Sequence, residues 1–220
     1  MSQLKIGKTT LNFIDCELPK EKTAAMQELL NTVRDRNVLE YPGVIEGKVA
    51  MGQEIGYQFL YHLSEMRGNI VRWLPIKATD RVLELDAECG AITATLAKMS
   101  DNITAYSKNP TDAEILAERL SNCKNLCVYA GDFNKSLAEI RSKEQAFDWI
   151  VVRKPEYLVE ALRSVAKGGR IIFISDNRMG MRNLAGVKAY GENEYYTGVT
   201  GKSESGFTFS GMLKLANMLG

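Results

Sequence analysis

The stretch VLELDAECGAIT, residues 82–93, gathers three acids, a cysteine and a glycine just after a short apolar run. Such a run, broken by small and acidic residues, is the setting of a strand-to-helix turn, where backbone N–H groups and side chains can face a nucleotide-like ligand. A dinucleotide turn needs G-x-G-x-x-G; the positions available for its glycines are Asp86, Glu88 and Ala91, so the NAD chemistry fails at every one. Cys89 is a candidate nucleophile, because a helix N-terminus lowers a thiol pKa. No histidine partner can be argued for it, and a small packed side chain accounts for the position better. Four cysteines (Cys16, Cys89, Cys123, Cys127) and the single His62 leave no metal-ligand spacing, since Cys123 and Cys127 are four apart. Free thiols, a structural His62 and no metal are expected.

The elements that must hold this turn follow from periodicity. From residue 80, β-rich runs begin near Val82, Ile103, Leu126, Asp148 and Ile171, at intervals of 21, 23, 22 and 23 residues. Between them lie helical spacings such as Ala113, Leu116, Ala117, Leu120 and Leu158, Ala161, Leu162, Val165. Strand, helix, strand at that interval is the βαβ repeat, whose right-handed crossovers build a parallel sheet covered on both faces. The expected fold is therefore α/β, a Rossmann-like three-layer sandwich, any small-molecule site lying at the carboxyl ends of its strands. Residues 1–75 read as an N-terminal strand/helix cap: a strand pair at 4–6 and 10–14, and a helix over about 21–36 carrying Met26, Leu29, Leu30 and Val33. A loop follows over 40–56, then a helix from an N-cap at Ser64 to the stop at Pro75. Residues 76–220 form the Rossmann-like domain.

The chain has 220 residues, 45% of them hydrophobic, enough for a real core. Its net charge of +1 selects neither nucleic acid nor an anionic membrane, so no nucleic-acid partner is expected. No apolar run approaches the roughly 18 residues of a membrane span, and the N-terminus lacks a secretory signal, which points to a cytoplasmic protein.

The 82–93 stretch resembles the first motif of class I S-adenosylmethionine (SAM) dependent methyltransferases, E-x-G-x-G-x-G: Glu84 and Gly90 fit, while Asp86 and Glu88 replace two glycines. The resemblance continues in AGDF at 130–133, FDWIVV at 147–152 and VAKGGRIIFI at 165–174. YHLSEMRGNIVRWLP before the first of these strands, with DNRMGMRNLAG (176–186) and GFTFSGMLKL (206–215) after the last, looks like methyltransferase domains of bacterial cell-surface polysaccharide loci, over roughly residues 57–219. That resemblance implies a parallel sheet in the order 3-2-1-4-5, SAM as cofactor, a sugar or surface-glycan precursor as methyl acceptor, and a glycosyltransferase as neighbour. It places the cofactor among Glu84, Asp86, Glu88, Gly90, Ser107, Asp132 and Phe133. Asp132 matches a position that often faces the adenine amino group. The ribose-binding acid of the family is replaced, ITAYSKN (103–109) offering Tyr106 or Ser107.

A Glu88 carboxylate about 5 Å from the cofactor carboxylate would cost roughly 3 kcal/mol at an effective dielectric near 20, about two decades in affinity. Asp86 and Glu88 are thus solvated turn residues, a block on the pocket, or parts of an altered one. If the cofactor has been lost, the chain is a non-catalytic scaffold for a glycosyltransferase. Arg153 and Lys154 end the strand beside the first, so at least one ion pair with Asp86 or Glu88 is expected, Arg153 foremost. RKPEY at 153–157 shares Pro155 and Tyr157 with the Asn-Pro-Pro-Tyr run of base-methylating enzymes, and helix initiation at Pro155 explains it more simply. Residues 189–209 read as a lid or acceptor loop. The chain stops without the family's last strand pair, as a truncated or excised domain would.

Overall fold

The computed structural model describes residues 2–36, 53–143, 146–177, 185 and 207–219. At its centre is a parallel sheet of β3 (Arg81–Leu85), β4 (Asn102–Ser107), β5 (Leu126–Gly131), β6 (Phe147–Val152) and β7 (Val165–Phe173), in the order β5-β4-β3-β6-β7. This is the 3-2-1-4-5 arrangement of the βαβ repeat. One extension was not anticipated. The hairpin of β1 (Ser2–Ile6) and β2 (Thr9–Ile14) joins the same sheet, with β2 parallel to β5, making seven strands in all.

The local signals explain the elements. Leu83 and Leu85 pack on one face of the sheet with Tyr106, Ile150 and Val152, while Val82 packs on the other with Ile103, Ala105 and Val151. Both faces are covered, which is why the central strands read as nearly continuous apolar runs. After β4, Asn109 accepts a hydrogen bond from the Thr111 amide at 2.9 Å and Pro110 takes the first helical position of α5 (Pro110–Arg119). Full burial of Leu116 and Leu120 against the sheet is worth about 1.5–3 kcal/mol each.

On the other face run α6 (Phe133–Lys143) and α7 (Leu158–Ser164). The KGG turn before Ile171 is a register shift inside β7: Phe147 pairs with Val165, and Trp149 with Arg170. A final helix, α8 (Phe209–Leu219), brings Met212 and Leu215 toward Leu158, Ile171 and Phe173.

Three helical pieces reach the site from the N-terminal side: α1 (Ala24–Arg36), α2 (Gln53–Leu63), and a 3-10 turn (Glu65–Gly68) that runs into α3 (Asn69–Arg72). Ser64 caps the turn as expected, its side chain accepting from the Met66 amide. Gly68 lets this segment lie against α4 (Thr93–Leu96), because a Cβ there would fall 1.9 Å from Thr95 Oγ1. The expected loop over 40–56 is helical from Gln53, and residues 40–52 of it lie outside the described residues, as does 189–206 of the candidate lid.

Candidate functional site

At the carboxyl end of β3 the turn 86–90 takes positive φ at three alternate positions: Asp86 (+69°), Glu88 (+49°) and Gly90 (+80°). These are the three positions at which the E-x-G-x-G-x-G motif carries glycine. The left-handed conformation costs an L residue about 1–2 kcal/mol, so the fold keeps the glycine backbone although two glycines are gone. The Ala87 amide donates to the Tyr106 carbonyl at 2.8 Å, tying the turn to β4. Gly90 has no substitute, since a Cβ there would meet Leu116 Cγ at 2.8 Å.

The two replacement acids meet bases from the neighbouring strand, as the strand order requires. Glu88 is ion-paired with the Arg153 guanidinium and, at 3.3 Å, with Arg67; it also accepts from the Tyr61 hydroxyl at 3.2 Å. Arg153 in turn donates to the Tyr61 hydroxyl at 2.5 Å and to the Asp86 carbonyl at 3.4 Å. Lys154 holds Asp86 at 3.2 Å. The expected pairing of Glu88 with Arg153 is present, and Lys154 adds a second. Burial alone would raise Glu88, but the adjacent guanidiniums, Arg153 first, outweigh it and hold the carboxyl below its ordinary range.

Tyr61 and Arg67 were not singled out from the sequence. They sit 27 and 21 residues before Glu88 on segments whose pattern signals only helix. Arg67 lies over the Tyr61 ring, 4.0 Å from its centroid, and donates to the Tyr61 carbonyl at 3.1 Å.

Beneath the turn Glu84 is fully buried. Thr93 donates to its Oε2 at 2.7 Å, while Oε1 has no hydrogen-bond partner among the described residues. Burial pushes this carboxyl up to about 7, against the pull of the Thr93 hydroxyl. Asp112, in the first turn of α5, is pushed to about 7 by burial and then by the Glu88 charge, and Asp86 is raised by burial against the pull of Lys154. At each of these three carboxyl groups the charged form is disfavoured, and a cation brought close to it would favour that form. Cys89 is fully buried, its thiol 3.9 Å from Asp112 Oδ1, and burial followed by that acid raises it well above the usual thiol range. This is the reverse of an activated nucleophile.

The other expected site residues lie along the next strand ends. Tyr106 turns toward α6, donates to the Gly131 carbonyl at 2.8 Å and tilts against Phe133. Ser107 is buried at the end of β4. Asp132 is exposed and caps α6 through the Lys135 amide at 2.9 Å, and Phe133 stacks on Tyr157 with centroids 4.2 Å apart. Neither Tyr106 nor Ser107 supplies the carboxylate of the family's ribose contact. Pro155–Tyr157 is a 3-10 turn leading into α7, which satisfies the helix-initiation reading of that run. Among the described residues no three His, Cys, Asp or Glu side chains are grouped to hold a metal ion, and no helix is long and apolar enough to cross a membrane.

No protein-family model matches the chain. It is similar to ribosomal RNA small subunit methyltransferase A of Leuconostoc mesenteroides, 30% identical over 175 residues, covering 74% of this chain and 57% of that protein. The protein of the same name from Borreliella burgdorferi is 30% identical over 110 residues, half of this chain and 38% of its own length. The chain thus spans between about a third and little more than half of the length of these curated relatives. An rRNA methylase of known structure from Streptococcus thermophilus superposes with a TM-score of 0.39 at 18% identity, covering 49% of this chain and 68% of that one.

The fold is that of the class I SAM-dependent methyltransferases. The expectation that nucleic acid is excluded as a partner does not stand, because these relatives are ribosomal RNA methyltransferases. Net charge averages the whole surface, so a value near zero does not by itself exclude a nucleic-acid partner. The polysaccharide-locus association expected from the sequence has no counterpart in these relatives.

Proposed function

We propose that the chain is the cofactor-binding domain of a SAM-dependent methyltransferase whose acceptor is RNA. The observation that carries the cofactor half of this reading is the retained turn: three alternate left-handed residues, 86, 88 and 90, over a buried Glu84 with an unpartnered oxygen. The similarity to ribosomal RNA methyltransferases over 175 residues supports the acceptor half.

The charges at the turn suit a zwitterionic sulfonium. Glu84, Asp86 and Asp112, all raised, favour a cation such as the ammonium or sulfonium, and the Arg67–Arg153 pair favours a carboxylate. In this reading Gly90 closes the turn against Leu116, Ser107 offers a hydroxyl toward the ribose in place of an acid, and Asp132 and Phe133 flank the base. Replacing the ribose carboxylate by a hydroxyl weakens that contact by about 1 kcal/mol or more. SAM, when bound, supplies the methyl group; the chain's own residues bind and orient it.

Calorimetry with S-adenosylhomocysteine tests the cofactor half, and tritium transfer from labelled SAM into small-subunit ribosomal RNA or into sugar nucleotides tests the acceptor. Binding, with label in RNA, is expected. No heat of binding up to about 1 mM ligand, or label in the sugar alone, would overturn the reading.

A further inference from the structure

The Glu88 cage has an asymmetry that bears on how a ligand enters. Each cation in it has anchors besides Glu88. Arg153 is held by the Tyr61 hydroxyl and the Asp86 carbonyl, and Arg67 by the Tyr61 carbonyl and the Tyr61 ring. Among the described residues the carboxylate of Glu88 is held by this cage alone: Arg153, Arg67 and the Tyr61 hydroxyl. Its side chain keeps 21% of its surface exposed, against 14% for Arg153 and 18% for Arg67. The element free to leave is the acid. What remains when it leaves is two fixed guanidiniums and a hydroxyl converging on a point sized for one carboxylate, at the ends of adjacent strands β3 and β6.

We propose that Glu88 is a built-in surrogate for the carboxylate of the cofactor: it occupies the Arg67–Arg153–Tyr61 seat, and SAM binds by displacing it. This deepens the cofactor reading above and rests on it. The latch lowers affinity for ligands with an amino-acid carboxylate and leaves the nucleoside end untouched, because that end is built from β4 and β5. It also turns Glu88 from a simple like-charge block into a competitor whose departure leaves the receptor already assembled.

The test compares two ligands by calorimetry on the native chain, Glu88→Gln, Glu88→Ala and Arg153→Met, with circular dichroism confirming that each variant is folded. S-adenosylhomocysteine carries the carboxylate; 5′-methylthioadenosine has the same nucleoside and thioether without it. Glu88→Gln and Glu88→Ala should tighten S-adenosylhomocysteine by about tenfold or more, Arg153→Met should weaken it by a similar factor, and methylthioadenosine should change by less than about twofold throughout. Unchanged or weaker S-adenosylhomocysteine binding in both Glu88 variants, or an equal change for both ligands, overturns the latch while leaving the cofactor reading intact. If neither ligand binds any form, the cofactor reading itself fails and the latch falls with it.

Discussion

Glycine at position 88 should stabilise the protein relative to alanine, although alanine is the better residue almost everywhere else in a fold. Both substitutions remove the Glu88 carboxylate and with it the Arg153, Arg67 and Tyr61 contacts, so the difference between them isolates the backbone. At φ +49° alanine keeps its Cβ in the left-handed region, costing about 1–2 kcal/mol that glycine does not incur. Against this, glycine loses about 0.4–1 kcal/mol more than alanine through the greater freedom of its unfolded chain. The balance favours Glu88→Gly over Glu88→Ala by about 0–1.6 kcal/mol, centred near 0.8 kcal/mol, which is a melting difference of about 2–3 °C for a chain of this size. Paired thermal melts followed by circular dichroism measure it. The same two substitutions at Glu118, inside α5, provide the control: both break its pair with Arg34, and there alanine should lead by about 1 kcal/mol. Equal stability at position 88, or alanine ahead there as at 118, would refute the claim that the turn holds a strained glycine-type backbone.

Four further outcomes are expected. Glu84 has a raised pKa, about 7 against an ordinary 4.5, so the folded state holds a proton that the unfolded state has released between those values. Glu84 should therefore contribute a loss of stability on the order of 3 kcal/mol as pH rises from about 4.5 to 7, opposed over nearly the same range by His62, which burial lowers to about 4; the difference between the native chain and Glu84→Gln in urea titrations at stepped pH isolates it. Gly131→Ala should cost more than about 3 kcal/mol, because at φ +105° its Cβ would meet the Ile14 carbonyl oxygen at 2.2 Å and Cys16 Sγ at 2.5 Å; denaturant midpoints report it. Gly68→Ala pushes on Thr95 and so displaces Arg67, which should lower the melting temperature by several degrees and weaken S-adenosylhomocysteine more than methylthioadenosine. Cys89, buried and held as a thiol, should react with Ellman's reagent only at the rate of unfolding.

The βαβ repeat from residue 80, the hairpin at the N-terminus and the Ser64 cap are all written in local patterns, while the order of the five strands comes with the resemblance to the methyltransferases. Hydrophobic period and turn chemistry act over a few residues, and crossover handedness then leaves little choice of topology. The Glu88–Arg153 pair was legible too, since adjacent parallel strands bring their carboxyl ends together. Helix α2 is hidden in the sequence by Gly56, which favours a loop locally but yields to the packing of Phe59 and Leu63 against Leu29 and Ile115. The seat of the hairpin beside β5 depends on pairing residues more than 100 positions apart, which no local pattern encodes. The backbone of the turn is the sharpest case. The sequence shows two lost glycines and leaves Asp86 and Glu88 as solvated turn residues, a block or parts of an altered pocket, whereas the packed sheet holds both in the left-handed region despite their side chains. Strain of one or two kcal/mol per residue is invisible to residue type and small beside a buried core, so tertiary packing decides it, just as it decides that Tyr61 and Arg67 complete the cage around Glu88.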